Sequence, residues 1–314
     1  MPAIPVFDHD AVLRAIDPLE AIERVRDGFV QHHHGDWRMP PKVYVTEERG
    51  DFRAMPASGG GLAILKWITS FPGNAKLGLP VVMGMICVSS ADDGRPLALV
   101  DARAVTALRT GAVAAIAAQE LGPEDARTAG IIGCGLHGAW AARCLAAAEF
   151  GPGICFDPDP EAAGRLAGEV GWEAGSLDEA LGCDVVTCVT PGAEPVVRRG
   201  DIRPGMHLSM LGADGPGKAE AEPDAVAACR LFCDEWEQAS HGGELTGAVA
   251  AGLVTRDDVT NLGAVLTGAA PGRTTPDATT LFDSTGLAIQ DLALCHALMK
   301  AHDAGVAPVS TVSF

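Results

Sequence analysis

The sequence has few basic residues for its acidic content. Among 314 residues, Lys and Arg number 23 and Asp and Glu number 41, which gives a formal net charge of −18. Nucleic-acid phosphates and anionic membrane surfaces repel a strongly acidic protein, so the charge argues against both as partners. It does not identify a substrate.

Long apolar runs are also missing. No run approaches the ~18 residues that a membrane-spanning helix needs. The N-terminal stretch MPAIPVFDHD has neither the basic region nor the apolar core of a signal peptide. We therefore expect a cytoplasmic protein. The hydrophobic fraction of 47% is ordinary for a globular chain, and the length allows two domains.

The cysteines do not form a disulfide or metal pattern. Their number, nine, is odd, and several lie within apolar runs, which favours buried free thiols in a reducing compartment. Cys229 and Cys233 are four residues apart without a matching second pair, so we interpret them as core or interface thiols. The triplet His32-His33-His34 invites a metal site, but adjacent helical residues do not share a face. We therefore interpret the triplet as a solvated helix end and predict no metal site.

The most informative stretch runs from Thr128 to Asp157. A short apolar run ends in Gly133-Cys134-Gly135-Leu136-His137-Gly138, an alanine-rich segment follows, and a second apolar run stops at Asp157. Strand, glycine turn, helix and strand in this order are typical of a dinucleotide-binding unit. A glycine-rich turn in some other α/β fold is the alternative.

Each glycine of this turn has an expected task. Gly133 permits the tight turn, Gly135 lets the backbone approach a pyrophosphate, and Gly138 lets the helix pack on the strand. The N–H groups and the positive dipole end of the following helix favour the anion. Asp157 follows Gly133 by 24 residues, close to the spacing of a carboxylate that binds the adenosine ribose. Such a carboxylate would repel a 2′-phosphate, so we predict NAD rather than NADP.

Later strands are expected to bring further residues to the cofactor. Predicted strands at 184–189, 206–211 and 279–283 end in loops that begin at Thr190, Gly212 and Ser284. Open α/β sheets bind ligands beyond the carboxyl ends of their strands. The predicted cofactor-binding residues are Thr110, Gly133, Gly135, Leu136, His137, Gly138, Asp157, Thr190, Gly212, Ser284 and Gly286.

The residue pattern before the glycine turn predicts a second domain. Strand patterns separated by turns fill residues 39–88 and 97–100 and predict a mostly antiparallel sheet. Helices are expected over 9–30, interrupted at Asp17-Pro18, over 101–120, and over 287–303, with nothing strand-like after the last. The fold class is therefore α/β, a dinucleotide-binding domain at 122–289 and a sheet domain at 1–121 with 290–314.

Four basic residues of the sheet domain are candidates for binding a substrate carboxylate. Lys42, Arg53 and Lys66 lie in or beside predicted strands, and Arg109 lies in a predicted helix. An equal alternative is that they are exposed edge charges, which discourage aggregation. Asp214, in a glycine-rich loop at a strand end, is the best candidate for a reactive carboxylate, although Asp is also a common turn former.

Five ordered stretches of the chain are informative together: Pro72 to Pro80, Leu97 to Thr110, the glycine turn, Gly212 to Lys218, and Thr280 to Gly286. With these stretches the sequence resembles the ornithine cyclodeaminase/mu-crystallin family over nearly the whole chain. That family includes ornithine and lysine cyclodeaminases, an archaeal-type alanine dehydrogenase and imine reductases. The resemblance implies a Rossmann domain plus an α+β sheet domain for substrate binding and dimerisation, which pairs with its twin in a homodimer.

The resemblance also implies roles for single residues. Lys66 and Arg109 match positions that hold the substrate carboxylate, and Asp214 matches the acid/base carboxylate. Lys42 falls where the alanine dehydrogenase type has a lysine proposed for catalysis and cyclodeaminases have an arginine. Arg53 departs from the cyclodeaminases, where a glutamate is expected to receive the side-chain ammonium of ornithine. An arginine would repel that ammonium by about 4 kcal/mol at close range.

The motifs and the resemblance together leave three functions open. We predict an NAD-dependent amino-acid dehydrogenase or imine reductase that acts on a small α-amino or α-imino acid. Arg53, Lys66 and Arg109 bind the carboxylate, and Lys42 and Asp214 transfer protons. The first alternative is an ornithine or lysine cyclodeaminase that recycles NAD. The second is a dinucleotide- or ligand-binding protein without turnover.

Overall fold

A computed structural model describes residues 3–192, 194–215, 217–306 and 309–313. The chain divides into two compact units. Unit 1 comprises Met1–Arg109 and Leu287–Phe314, and unit 2 comprises Thr110–Gly286. The assignment of cofactor and substrate binding to separate domains with limits at 121 and 289 stays a prediction.

The elements follow one another along the chain with short connections. The strands are β1 (Ile4–Phe7), β2 (Val43–Glu47), β3 (Gly50–Gly59), β4 (Leu62–Ser70), β5 (Val82–Ser90), β6 (Pro96–Asp101), β7 (Ala129–Ile132), β8 (Gly153–Phe156), β9 (Glu173–Ala174), β10 (Val185–Cys188), β11 (His207–Met210), β12 (Arg230–Cys233), β13 (Val259–Asn261), β14 (Thr280–Asp283) and β15 (Ser310–Val312). The helices are α1 (His9–Ala15), α2 (Pro18–His33), α3 (Ala102–Leu121), α4 (Leu136–Ala147), α5 (Pro160–Val170), α6 (Leu177–Leu181), α7 (Pro223–Ala227), α8 (Trp236–Gly242), α9 (Thr246–Ala250), α10 (Leu262–Leu266) and α11 (Ala288–Asp303). Short 3-10 helices cover Pro72–Leu77, Arg199–Asp201 and Arg256–Asp258.

Local signals define the first helices as expected. The Asp17 side chain accepts a hydrogen bond from the Glu20 N–H (3.0 Å), and Pro18 occupies the first turn of α2, where its missing N–H costs nothing. The break predicted at Asp17-Pro18 and the helix end predicted at His32 to His34 are confirmed. No helix in the described part of the chain is both long and apolar enough to cross a membrane.

The sheet of unit 1 has seven strands among the described residues, in the order β15-β1-β6-β5-β4-β3-β2. Neighbours run antiparallel from β6 to β2, as predicted, whereas β1 and β6 are parallel. The expectation that nothing strand-like follows the last helix is wrong, because β15 pairs antiparallel with β1. Three residues at a sheet edge are too few for an alternating pattern to be recognised.

The two faces of this sheet differ. Along β4 the side chains alternate, so that Ile64, Lys66 and Ile68 are buried while Leu65 and Trp67 are exposed. Helix α11 packs against β3, β4 and α2. The buried face therefore forms the core of unit 1, and the opposite face remains apolar and open.

Unit 2 contains an eight-stranded sheet within its described residues, in the order β13-β12-β14-β11-β10-β7-β8-β9, with every pair parallel. Strand order reverses at β7, because β8 and β9 extend to one side and β10 and β11 to the other. This is the doubly wound Rossmann arrangement, which binds ligands at the carboxyl ends of the strands where the order reverses. The predicted fold class is confirmed.

A buried polar cluster lies within unit 2. The two ring nitrogens of His207 each lie 2.9 Å from a hydroxyl oxygen, those of Thr280 and Ser209. Arg273 donates to the Leu121 carbonyl oxygen (2.9 Å) and to the Thr280 hydroxyl (3.2 Å). Burial, with a smaller contribution from the Arg273 charge, lowers the pKa of His207 to about 3.

This pKa predicts loss of stability in acid. Below its ordinary pKa of 6.5, the His207 side chain takes up a proton in the unfolded chain but not in the native protein. The free energy of unfolding should therefore fall as pH drops from about 6.5 towards about 3, by up to about 1.4 kcal/mol per pH unit. Urea midpoints across this range should depend less on pH in His207→Gln. The exposed His34→Gln control should match wild type, and an unchanged slope in His207→Gln would contradict the assignment.

Candidate functional site

The glycine turn follows β7 at the carboxyl edge of the unit 2 sheet. Gly133 has φ 97°, a left-handed conformation that favours glycine, and a Cβ there would lie 2.6 Å from the Val189 carbonyl oxygen. A Cβ at Gly138 would overlap the Gly133 carbonyl oxygen. Helix α4 therefore packs against the turn at a distance that only glycine allows.

The space in front of this turn suits a pyrophosphate. A Cβ at Gly135 would meet no atom within 4 Å, so the backbone there is open to a ligand. Gly135 is also the N-cap of α4, and no side chain caps the helix. The helix begins at Leu136, so Leu136, His137 and Gly138 form its first turn. Its N–H groups and dipole fit a bound diphosphate.

Asp157 stands directly after β8 and is tied to the glycine turn. One carboxylate oxygen accepts a hydrogen bond from the Cys134 N–H (2.8 Å), and the other accepts one from the Asp159 N–H (2.9 Å). These bonds fix the carboxylate at the strand end where a ribose is expected. Its contact with a ribose stays a prediction.

Glu220, which no sequence motif indicated, holds two of the predicted cofactor loops. Its completely buried carboxylate accepts hydrogen bonds from the Thr190 N–H (2.6 Å), the Thr190 hydroxyl (2.9 Å) and the Gly212 N–H (2.7 Å). The loops after β10 and β11 are thus joined through one side chain. Since these amides are engaged, Thr190 and Gly212 would contact a cofactor through other atoms.

A second buried carboxylate, Glu244, supports the first. It accepts hydrogen bonds from the Ala221 N–H (2.6 Å) and the Glu220 N–H (2.9 Å). Burial raises the pKa of Glu220 to about 7. Burial and then the charge of Glu220 raise the pKa of Glu244 to about 8. The pair therefore does not ionise together at neutral pH.

Asp234 fixes the loop after β14 in a similar way. Its carboxylate accepts from the hydroxyls of Ser284 and Thr285, both at 3.1 Å, and from the Gly286 N–H at 2.8 Å. The predicted cofactor residues Ser284 and Gly286 are thus positioned by a residue that directly follows β12. Asp234 was not among the site residues predicted from the sequence.

Two other predicted residues of unit 2 have defined surroundings. The half-buried Asp214 forms an ion pair with Lys218, with 2.5 Å between Oδ1 and Nζ. Pro216, in the same loop, lies outside the described residues. Thr110 is buried on α3, beside Gly111, whose missing Cβ lets the helix approach the Trp140 backbone of α4.

Lys66 and Arg109 meet at one carboxylate in unit 1. The Lys66 ammonium lies 2.8 Å from Asp291 Oδ1, and Arg109 Nε lies 3.8 Å from the same oxygen. Lys66 is 1% exposed and Asp291 is completely buried. Asp291 was not among the residues predicted from the sequence, although Gln290 and Asp291 interrupt the apolar start of α11.

Arg53 lies on the same face of the sheet as Lys66. It pairs with Ile68, two residues from Lys66, and its guanidinium binds Asp51 at 2.6 and 3.3 Å. Its guanidinium also lies 5.5 Å from the centre of the Tyr44 ring. Arg53 is 7% exposed, so the alternative of exposed edge charges is wrong for Arg53 and Lys66.

The charges of this cluster act on one another. Burial lowers the pKa of Lys66 to about 8, Asp291 opposes this shift, and the charges of Arg109 and Arg53 add to it. Lys42 is half-buried and immediately precedes β2, the edge strand that pairs with β3. The structure thus brings Arg53, Lys66 and Arg109 into one cluster whose cations exceed what Asp291 neutralises.

The chain is similar in sequence to several known proteins. The model of the ornithine cyclodeaminase/mu-crystallin family matches residues 8–303. Alanine dehydrogenase of Archaeoglobus fulgidus is 39% identical over 296 residues, 92% of each chain. Iminosuccinate reductase of Paracoccus denitrificans is 37% identical over 246 residues, 76% of each chain. Ornithine cyclodeaminase of Agrobacterium fabrum is 32% identical over 84% of this chain and 77% of its own.

Two solved structures are similar to this chain over its whole length. An archaeal alanine dehydrogenase dimer with bound NAD superposes with a TM-score of 0.95 at 36% identity, over all of both chains. The Paracoccus denitrificans iminosuccinate reductase in complex with NAD+ superposes with a TM-score of 0.91 at 29% identity, again over all of both chains.

The buried carboxylates of unit 2 predict a pH effect. The native pKa of Glu244, about 8, exceeds its ordinary value of 4.5, so the native protein holds a proton that the unfolded chain releases. The stability gained from this proton is present below about pH 4.5 and is lost as pH rises towards about 8.

A Gln at position 244 keeps an acceptor for the two amides without an ionisable group. The free energy of unfolding of Glu244→Gln, relative to wild type, should therefore rise by about 1.4 kcal/mol per pH unit over part of this range. Urea unfolding at several pH values measures it, with the exposed Glu237→Gln as control. A difference that does not change with pH would contradict the raised pKa.

Proposed function

Because the chain belongs to the ornithine cyclodeaminase/mu-crystallin family, we propose that it is an NAD-dependent oxidoreductase that interconverts a small α-amino acid and its α-imino acid, as alanine dehydrogenase does. The observation that carries this proposal is the cluster of Arg53, Lys66 and Arg109. Its cations lie largely out of water, where they bind an anion far more strongly than they would at a surface. The predicted cytoplasmic location is part of the same proposal.

The charge balance of the cluster suits a carboxylate. Asp291 alone lies between Lys66 and Arg109 among the ion pairs of the described residues, so these two cations keep one net positive charge. A guanidinium and an ammonium on either side of a carboxylate bind it by charge-assisted hydrogen bonds. Lys66 and Arg109 are proposed to bind the substrate carboxylate, with Arg53 beside them.

The proposed cofactor fits the glycine turn. The open backbone at Gly135 and the uncapped first turn of α4 would hold the pyrophosphate, and Asp157 would accept hydrogen bonds from the ribose hydroxyls. When bound, NAD supplies or accepts the hydride. A 2′-phosphate would face the Asp157 carboxylate, so NAD is proposed over NADP.

Proton transfer is proposed for Asp214 and Lys42. Amine oxidation releases a proton from nitrogen, and hydrolysis of the imine needs a base for water. The ion pair with Lys218 keeps Asp214 in place in a glycine-rich loop. Lys42 immediately precedes the edge strand β2 and is half-buried.

Arg53 argues against the cyclodeaminase alternative. A cyclodeaminase must bind the side-chain ammonium of ornithine, and a guanidinium repels it. The two hydrogen bonds to Asp51 hold Arg53 in place, so it does not turn away easily. Relatives of both kinds match the chain, and Arg53 favours the dehydrogenase.

A substrate panel tests the function. Purified protein is mixed with NAD and each of several amino acids, and separately with NADH, ammonia and the matching 2-oxo acids. We expect absorbance change at the nicotinamide band with a small 2-oxo acid, a much smaller change with NADPH, and loss of turnover in Asp214→Asn by about 100-fold or more. No change with any member of the panel would refute the dehydrogenase. Proline and ammonia from ornithine would establish the cyclodeaminase instead.

The open face of the unit 1 sheet supports a homodimer. Val43, Leu65, Trp67 and Met85 are 59%, 44%, 39% and 53% exposed on this face, and Trp67 pairs across the strands with Met85. Phe52 stacks on Trp67 with 5.5 Å between ring centres. Contiguous apolar and aromatic surface of this kind is typical of subunit interfaces. We propose that a second copy covers it.

A matched pair of substitutions tests the dimer. Leu65→Glu places a charge in the proposed interface, whereas Leu19→Glu places the same charge on α2, where Leu19 is 59% exposed. Light scattering during gel filtration should give a dimer for wild type and Leu19→Glu and a monomer for Leu65→Glu, because a buried unpaired charge costs several kcal/mol. A dimeric Leu65→Glu variant would place the interface elsewhere.

A further inference from the structure

Two polar residues interrupt the apolar first half of helix α11. Gln290 and Asp291 lie between Ile289 and Leu292 on this helix, and both are completely buried. A buried carboxylate costs several kcal/mol unless cations or hydrogen-bond donors compensate it. Asp291 therefore needs its partners, and the partners are the two residues proposed to bind the substrate carboxylate.

We propose that Asp291 is the positioning residue of the carboxylate site, which holds the Lys66 ammonium and the Arg109 guanidinium in place and keeps Lys66 charged. The inference rests on the proposed function. Asp291 is not proposed to touch the substrate, since it is completely buried and both cations lie against it. It acts through Lys66 and Arg109.

The geometry supports this role because one oxygen serves both cations. Asp291 Oδ1 lies 2.8 Å from Lys66 Nζ and 3.8 Å from Arg109 Nε. Asp291 Oδ2 and Arg109 Nε are buried and have no hydrogen-bond partner within the described residues. Without the carboxylate, two like charges would face each other at close range and move apart. A carboxylate ligand would then lose its paired contacts.

The groups around Lys66 determine in which direction its pKa moves when the Asp291 charge is removed. Asp291 and Cys295 face Lys66 from α11, Arg109 faces it from α3, and Arg53 faces it from β3. Its cross-strand neighbour on β5 is the apolar Ile86. Burial, Arg109 and Arg53 favour the neutral amine, and Asp291 favours the ammonium. The Cys295 thiol, whose pKa burial raises, stays neutral. Removing the Asp291 charge therefore makes Lys66 lose its proton at lower pH.

The first test measures turnover against pH with the substrate that the panel identifies. In Asp291→Asn we expect KM to rise by roughly 30-fold or more, with a smaller change in kcat, because a buried charge loses its partner. The alkaline limb of kcat/KM should move to lower pH. Asp291→Glu should return the limb towards wild type, and Gln290→Leu, equally buried and one residue away, should leave it unchanged. An unchanged limb and KM in Asp291→Asn would overturn the inference.

The second test does not depend on activity. Urea unfolding is measured at about pH 7, where Lys66 is charged, and at about pH 9, where burial has made it largely neutral. The loss of stability in Asp291→Asn should be larger at the lower pH. In the Lys66→Met background, the same substitution should show no such difference between the two pH values.

The two tests separate the possible failures. If no substrate is turned over but the unfolding result holds, the proposed function fails and the coupling of Asp291 to the charge of Lys66 stands. If Asp291→Asn destabilises equally at both pH values, with and without Lys66, the inference fails whether or not the enzyme is active.

Discussion

The Lys66 ammonium lies on the covered face of the unit 1 sheet with 1% of its surface exposed, and a charge in that position requires a counter-charge. Helix α11 supplies Asp291 at 2.8 Å. Because Arg109 uses the same oxygen, sheet, helix α3 and helix α11 are tied at one point. The apolar residues around them determine how strongly these charges act on one another and on an anion.

Unit 2 uses buried carboxylates in a related way, with backbone amides as partners in place of cations. Glu220 joins the loops after β10 and β11, Glu244 supports Glu220, and Asp234 holds the loop after β14. These loops follow strands of a parallel sheet whose order reverses at β7, where a dinucleotide is expected. The carboxylates fix loops that backbone pairing alone does not reach. Burial raises the pKa of Glu220 to about 7 and the pKa of Glu244 to about 8.

The sequence predicted the sheets and the glycine turn well because those features depend on local pattern. Strand-like segments between turn residues indicated β2 to β6, and the three glycines indicated the turn before α4. The short strands β1 and β15 were not predicted, and β15 pairs with a strand about 300 residues away. Such pairing has no local signal.

The candidate site could be predicted from the sequence only in part. Arg53, Lys66, Arg109 and Asp214 were candidates by residue type and position, and the family resemblance implied their roles. Asp291, Glu220 and Glu244 were not candidates, because their role depends on partners distant in sequence: Asp291 lies 225 residues from Lys66. The polar pair Gln290 and Asp291 in the apolar first half of α11 was the available signal, and only the fold shows what Asp291 faces.

The basic cluster is proposed, above all, to bind the carboxylate of the acid whose α-carbon receives the hydride of NADH. The most direct measurement follows that hydride. Wild-type protein is incubated with ammonia, a small 2-oxo acid and NADH that carries deuterium at the transferred position of the nicotinamide ring, and the amino acid formed is analysed by mass spectrometry. The predicted product carries one deuterium at the α-carbon. Formation of the amino acid without deuterium, or no formation from any small 2-oxo acid, would contradict the proposed role of the cluster.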